Sequence, residues 1–211
     1  MTSNTPSIAL NERLGEVIFS TNEIVLAQCY KEATTGSALK NNIIQGSVVK
    51  IISSYDNSYL AYGLVAKINN SSLDSIHKPS ALGLDFNELT QLQPQVYDLL
   101  RKELEIYLFA HKEEGSPTLS YPPLKPMMIH DFVYNSSDKE VTELTNNFSN
   151  LINLIKRNQL KIDLLINLIT LGYKLRDHNK NYLINVGREL SLAFTDEIES
   201  LMQVLKRLSQ V

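Results

Sequence analysis

The chain has 211 residues and a mass of 23.9 kDa, enough for one large domain or two small ones. With 43% hydrophobic and 20% charged residues it has the balance of a folded globular protein, which excludes extended disorder, collagen-like repeats and a disulfide scaffold. A formal net charge of -3 excludes the global basic field of a non-specific nucleic-acid binder.

Met1 to Pro6 is polar and uncharged, with neither the basic start nor the apolar core of a secretory leader. No apolar stretch approaches the ~20 residues that span a bilayer. Leu14 to Phe19 reads as a strand, Asn22 as a turn and Ile24 to Tyr30 as the next strand. The single cysteine, Cys29, lies in this second apolar run. It reads as a small hydrophobe, and a lone cysteine forms no intrachain disulfide, which fits a reducing compartment. Thr34 to Ser37 reads as a loop, Ser47 to Ile52 as a strand, Asp56 to Ser58 as a turn and Tyr59 to Ile68 as a further strand. Short β-branched runs bounded by Gly, Asn and Asp predict a small antiparallel barrel or sandwich.

Residues 69–93 are polar and read as irregular, with Pro79 and a short strand at Ser80 to Leu84. Pro94 opens a predicted helix, since Val96, Leu99, Leu100, Leu104, Tyr107 and Leu108 follow the 3.6-residue period. Pro117, Pro122, Pro123 and Pro126 make residues 115–126 an extended crossover. The apolar run from Met127 to Tyr134 fits no amphipathic helix and is expected to add to the barrel edge as a strand. Ser137 and Glu140 have capping-box spacing. Four helices are expected beyond them: one carrying Val141 to Ile155, one at Leu160 to Leu175, one at Asn181 to Phe194, and a last one capped by Thr195.

The chemistry-bearing residues are sparse. None of the 8 glycines is followed by lysine and none forms G-x-G-x-x-G, so a phosphate-cradling loop is not expected. His77, His111, His130 and His178 lack metal-ligand spacing, and the pairs His130–Asp131 and Asp177–His178 read as surface or capping residues. No G-x-S-x-G elbow is present. Glu103 with Glu105, and Glu113 with Glu114, read as a solvated helix face. Lys156, Arg157 and Lys161 form the densest basic cluster, at a helix end where cations complement the dipole. Tyr55, Tyr59 and Tyr62 flank the Asp56 turn. They read as a hairpin-stabilising aromatic set or as an interaction surface.

Gly15 before an apolar strand, the run from Gly46 to Ile51 and the run from Tyr62 to Ile68 resemble the HAS-barrel. That is the small barrel at the N-terminus of HerA-type DNA-translocating ATPases, related to the barrel of the ATP synthase α and β subunits. Over residues 12–208 the chain also resembles cyanobacterial HAS-barrel proteins, through Leu92 to Val96, His130 to Tyr134 and Val186 to Leu190. The translocase motor is missing, so no ATPase residue carries over. The resemblance implies a barrel used for assembly or partner contact, in the cytoplasm or a plastid stroma.

The expected fold is α+β. Residues 12–114 form an N-terminal antiparallel HAS-barrel-like domain with an appended helix, residues 115–136 a Pro-rich crossover with a short strand, and residues 137–211 a four-helix bundle. The expected function is a non-enzymatic interaction, assembly or regulatory factor that binds a protein partner. No cofactor, metal, catalytic residue or strong nucleic-acid binding is expected, and self-association stays open. The alternatives are an accessory protein of nucleic-acid translocation and an enzyme of unrecognised class. A recessed group of polar residues with shifted pKa values would favour the enzyme, a basic stripe with aromatics nucleic acid, and an exposed apolar patch a protein partner.

Overall fold

The computed structural model describes residues 13–30, 43–56, 58–73, 80–113, 115–118 and 121–210. The polar Met1 to Pro6 segment, the loop at Thr34 to Ser37, and His77, Pro79 and Glu114 lie outside these residues.

Six antiparallel strands form a closed barrel in the order β1-β2-β5-β4-β3-β6. They are β1 (Arg13–Ser20), β2 (Ile24–Cys29), β3 (Val48–Ile52), β4 (Leu60–Ser72), β5 (Leu100–Lys112) and β6 (Phe132–Asn135). The first three strands follow the β-branched runs expected of them. The fourth extends over Asn69 to Ser72, because those polar residues pair with Leu100 to Glu103. The interior is filled by Leu14, Val17, Val25, Val49, Ile51, Val65, Leu104, Ile106, Leu108 and Val133 among others, so the barrel is a packed core.

The expected long helix from Pro94 is corrected. Only α2 (Pro94–Leu99) is helical, and the chain then enters β5. The strand is buried on both faces. Leu104, Ile106 and Leu108 point into the barrel while Tyr107 and Phe109 pack outward against the helices. A strand covered on both sides loses its polar alternation, so its apolar residues also satisfied a helical period. Glu103 and Glu105 accordingly lie on a strand, opposite Gln28 and Leu26. Residues 80–84 form no strand. The segment read as irregular instead holds α1 (Phe86–Leu92), started by an Asp85–Glu88 capping box.

The run from Met127 to Tyr134 supplies β6, which pairs with both β1 and β3 and closes the barrel. Five helices follow it rather than four: α3 (Asp138–Leu144), α4 (Ser149–Arg157), α5 (Ile162–Lys174), α6 (Lys180–Ala193) and α7 (Ile198–Leu208). The expected first helix breaks between Thr145 and Phe148. The Arg176 guanidinium reaches into the break, donating to the Thr142 carbonyl, the Thr145 hydroxyl at 3.0 Å and the Asn146 carboxamide oxygen at 2.8 Å. Glu189 accepts from the Phe148 amide at 2.6 Å and so caps α4. Thr195 is not the cap of the last helix, which begins after Glu197.

The helices do not stand apart from the barrel. A second core joins Val48, Tyr62, Leu64, Tyr107 and Phe109 on the outer barrel face to Phe148, Leu151, Leu165 and Leu168 of the helical part. Glu140 ties the two polar frames together across this contact. Its carboxylate accepts from Lys50 Nζ at 3.0 Å, from the Tyr62 hydroxyl at 3.1 Å and from the Ser137 amide at 2.7 Å. Burial disfavours that charge, but the Ser137 and Lys50 hydrogen bonds outweigh it and hold the carboxyl below its ordinary value. Among the described residues, no helix is long and apolar enough to cross a membrane.

Candidate protein-contact site

The site builds from a defect in β1. A register shift between Val17 and Phe19 interrupts the inward–outward alternation and leaves Ile18 and Phe19 facing out. Before the start of β6, β1 already pairs with the turn that leads into it. The Val17 amide donates to the Asp131 carbonyl at 3.0 Å and the His130 amide to the Val17 carbonyl at 2.9 Å. This brings Met128 and Ile129 to the same end of the barrel. Asn22, in the β1–β2 turn, donates to the Leu124 carbonyl at 2.6 Å and brings the crossover there too. Ile18, Phe19, Leu124, Met128 and Ile129 thus gather at one rim, each between 39% and 79% exposed.

The rim is held stiffly. Asp131 is fully buried, and its carboxylate accepts from the Met128 amide at 2.6 Å, the Ser54 amide at 2.7 Å and the Ser54 hydroxyl at 2.8 Å. His130 takes a positive φ of 71° to make this turn. Its Nδ1 lies 2.8 Å from Glu16, whose other carboxylate oxygen accepts from the Tyr30 hydroxyl. The Tyr30 and then the His130 hydrogen bonds hold the Glu16 carboxyl below its ordinary value, while burial and Glu16 push the Tyr30 phenol up. Arg13 stacks over Phe132 at 3.6 Å. His130 and Asp131 therefore act as rim anchors, one exposed and one buried.

Beside the rim lies a cleft of ≈490 Å³, lined by Phe109 of β5, Tyr121 and Pro122 of the crossover, and Asn150, Asn153, Leu154, Lys156 and Arg157 of α4. The crossover is fixed over the barrel by aromatic contacts. His111 is buried, donates through Nδ1 to the Tyr121 carbonyl at 3.0 Å and meets the Tyr121 ring edge-on at 4.9 Å. The Tyr59 hydroxyl donates to the Lys125 carbonyl at 3.3 Å. Lys156 pairs with Glu197 at 2.8 Å and Arg157 with Glu23 at 3.2 Å. The basic cluster thus lines a cleft with its two leading cations already partnered.

The three tyrosines singled out from sequence do not form one surface. Tyr55 is exposed, Tyr59 is buried in the barrel core, and Tyr62 is buried on the opposite strand face toward the helices. Cys29 is half-buried, and burial pushes its thiol up. Among the described residues, no group of three or more His, Cys, Asp or Glu is placed to hold a metal ion. The rim was foreshadowed by the unassigned apolar run at Met127 to Ile129. Asn150 and Asn153 carried no sequence signal beyond the polar face of an amphipathic helix. No protein-family model matches the chain, and no curated protein matches it.

Proposed function

We propose that the protein is a non-enzymatic contact factor that docks a protein partner on the rim of a HAS-type barrel, with the helical bundle bracing the barrel behind it. One observation carries the reading: five exposed apolar side chains gather at one barrel rim, beside a turn that a buried carboxylate holds in place. Apolar side chains grouped on a rigid, polar-edged surface mark partner sites, whereas singly scattered ones do not. With Lys156 held by both Glu197 and the Ala193 carbonyl, the cleft offers an anion one exchangeable cation at most, Arg157, which is too few for a cationic track along nucleic acid. The shifted Glu16–Tyr30 pair lies on the outer barrel wall, where a substrate would stay hydrated, and this argues against an enzyme.

The test compares native complexes from cells expressing tagged wild-type chain or Ile129→Asp at the natural level. Wild type is expected to elute with a stoichiometric protein, and Ile129→Asp at the size of the free chain with unchanged thermal stability. Elution of wild type at 23.9 kDa, or a complex indifferent to Ile129→Asp, contradicts the reading.

A further inference from the structure

The cleft deepens the contact reading and rests on it. We infer that the cleft binds an extended peptide segment carrying an aspartate or glutamate side chain, and that Glu23 occupies the carboxylate position when the segment is absent. Asn150 and Asn153 stand one turn apart on α4 and both line the cleft. Among the described residues their carboxamides make no hydrogen bond. A carboxamide offers a donor and an acceptor together, which is what a peptide unit requires. Side chains three apart on a helix stand about 5–6 Å from each other. Alternate peptide units of an extended strand repeat at about 6.6 Å, so two carboxamides at this spacing reach one edge of a strand.

The other walls fit the same occupant. Pro122 has no N–H and offers no competing donor, and Tyr121 presents a half-exposed ring. Phe109 and Leu154 are buried beneath and make an apolar floor. The volume of ≈490 Å³ falls in the range of ordinary ligand sites, roughly 300–1,000 Å³.

Charge supplies the selectivity. The Arg157–Glu23 pair spans from α4 to the β1–β2 turn at 3.2 Å, with both side chains about half exposed. A pair so exposed is weakly held and readily exchanged for another carboxylate. Lys156 is less available, since its ammonium also donates to the Ala193 carbonyl at 2.8 Å. Arg157 is therefore the selecting cation, and the chain's own Glu23 competes for it.

The probe is a positional-scanning library of fluorescein-labelled octapeptides with a fixed central Glu, and its counterpart with central Gln, read by fluorescence anisotropy on the full chain. The best Glu pools are expected to bind in the micromolar range and their Gln partners about tenfold more weakly. Asn150→Ala with Asn153→Ala is expected to weaken binding about tenfold. Arg157→Gln should erase the Glu-over-Gln preference. Glu23→Gln should tighten binding about threefold by freeing Arg157, an effect that a merely structural role for Glu23 would not produce. Ile129→Asp should leave peptide binding unchanged, which separates a failure here from a failure of the rim reading. The inference is overturned if no pool binds below about 1 mM, if free glutamate binds as tightly as peptide, if the asparagine pair is indifferent, or if Glu23→Gln weakens binding.

Discussion

Replacing Glu140 by alanine removes a carboxylate that joins the helical part to the barrel. Three losses add. The capping box at Ser137 is worth about 1 kcal/mol. The Lys50 ammonium, on a side chain only 21% exposed, loses a charged acceptor at 3.0 Å, and the buried Tyr62 hydroxyl loses its acceptor at 3.1 Å. Stranding two such donors costs about 2 kcal/mol together, so the expected total is about 3 kcal/mol. For a chain of this size that lowers Tm by roughly 6–12 °C. Urea unfolding followed by far-UV circular dichroism measures it, and a double-mutant cycle with Lys50→Met should return a coupling of about 1–2 kcal/mol. The pH dependence has a definite sign. The folded carboxyl titrates below its ordinary value of 4.5, so its contribution is present above pH 4.5 and is lost as pH falls through the folded pKa. The gap between wild type and Glu140→Ala should therefore narrow below pH 4.5. A destabilisation under about 0.5 kcal/mol at pH 7, or a coupling near zero, would mean that Glu140 does not join helices to barrel.

Gly172→Ala should cost about 2 kcal/mol in urea unfolding, because a Cβ there overlaps the Tyr182 hydroxyl and the Tyr182 ring is held by Arg176 at 4.3 Å; an unchanged midpoint would mean the ring moves freely. Gly15→Ala should be worse, with loss of soluble protein or of hydrogen-exchange protection in β1 and β2, because its Cβ meets the Gln28 backbone carbonyl rather than a side chain. Calorimetric titration with Mg-ATP should show no binding tighter than millimolar, since no glycine in the sequence precedes a lysine or forms G-x-G-x-x-G; a micromolar constant would contradict this. Gel shifts with duplex DNA at ~150 mM salt should be negative, and a submicromolar shift would favour a nucleic-acid role.

What was legible in the sequence follows from how many surfaces each element buries. β1, β2 and β3 kept β-branched runs bounded by turn residues, and their ends lie close to the expected ones. Gly15 and Gly63, both within the motifs that carried the family resemblance, have a local reason: a Cβ would meet the Gln28 carbonyl at one and the Ile106 side chain at the other. β5 shows a helical period in sequence because the barrel covers one face and the helices the other, which removes the alternation that identifies a strand. The break between α3 and α4 was hidden because its partners, Arg176 and Glu189, lie over 25 residues away in sequence. The rim was half legible, as an apolar run without a helix to belong to. Its other half needed the register shift in β1 and the Asn22 hydrogen bond to Leu124, neither of which leaves a mark in composition or period.

Barrel and helices share one core and, with the crossover, are expected to fold as one body, so that rim and cleft form a composite surface. Differential scanning calorimetry of the full chain tests it. At ~0.7 kcal/mol per residue the unfolding enthalpy should be about 150 kcal/mol, delivered in one transition whose calorimetric and van't Hoff values agree. Two transitions, or a calorimetric enthalpy about twice the van't Hoff value, would show instead a barrel and a bundle that unfold separately.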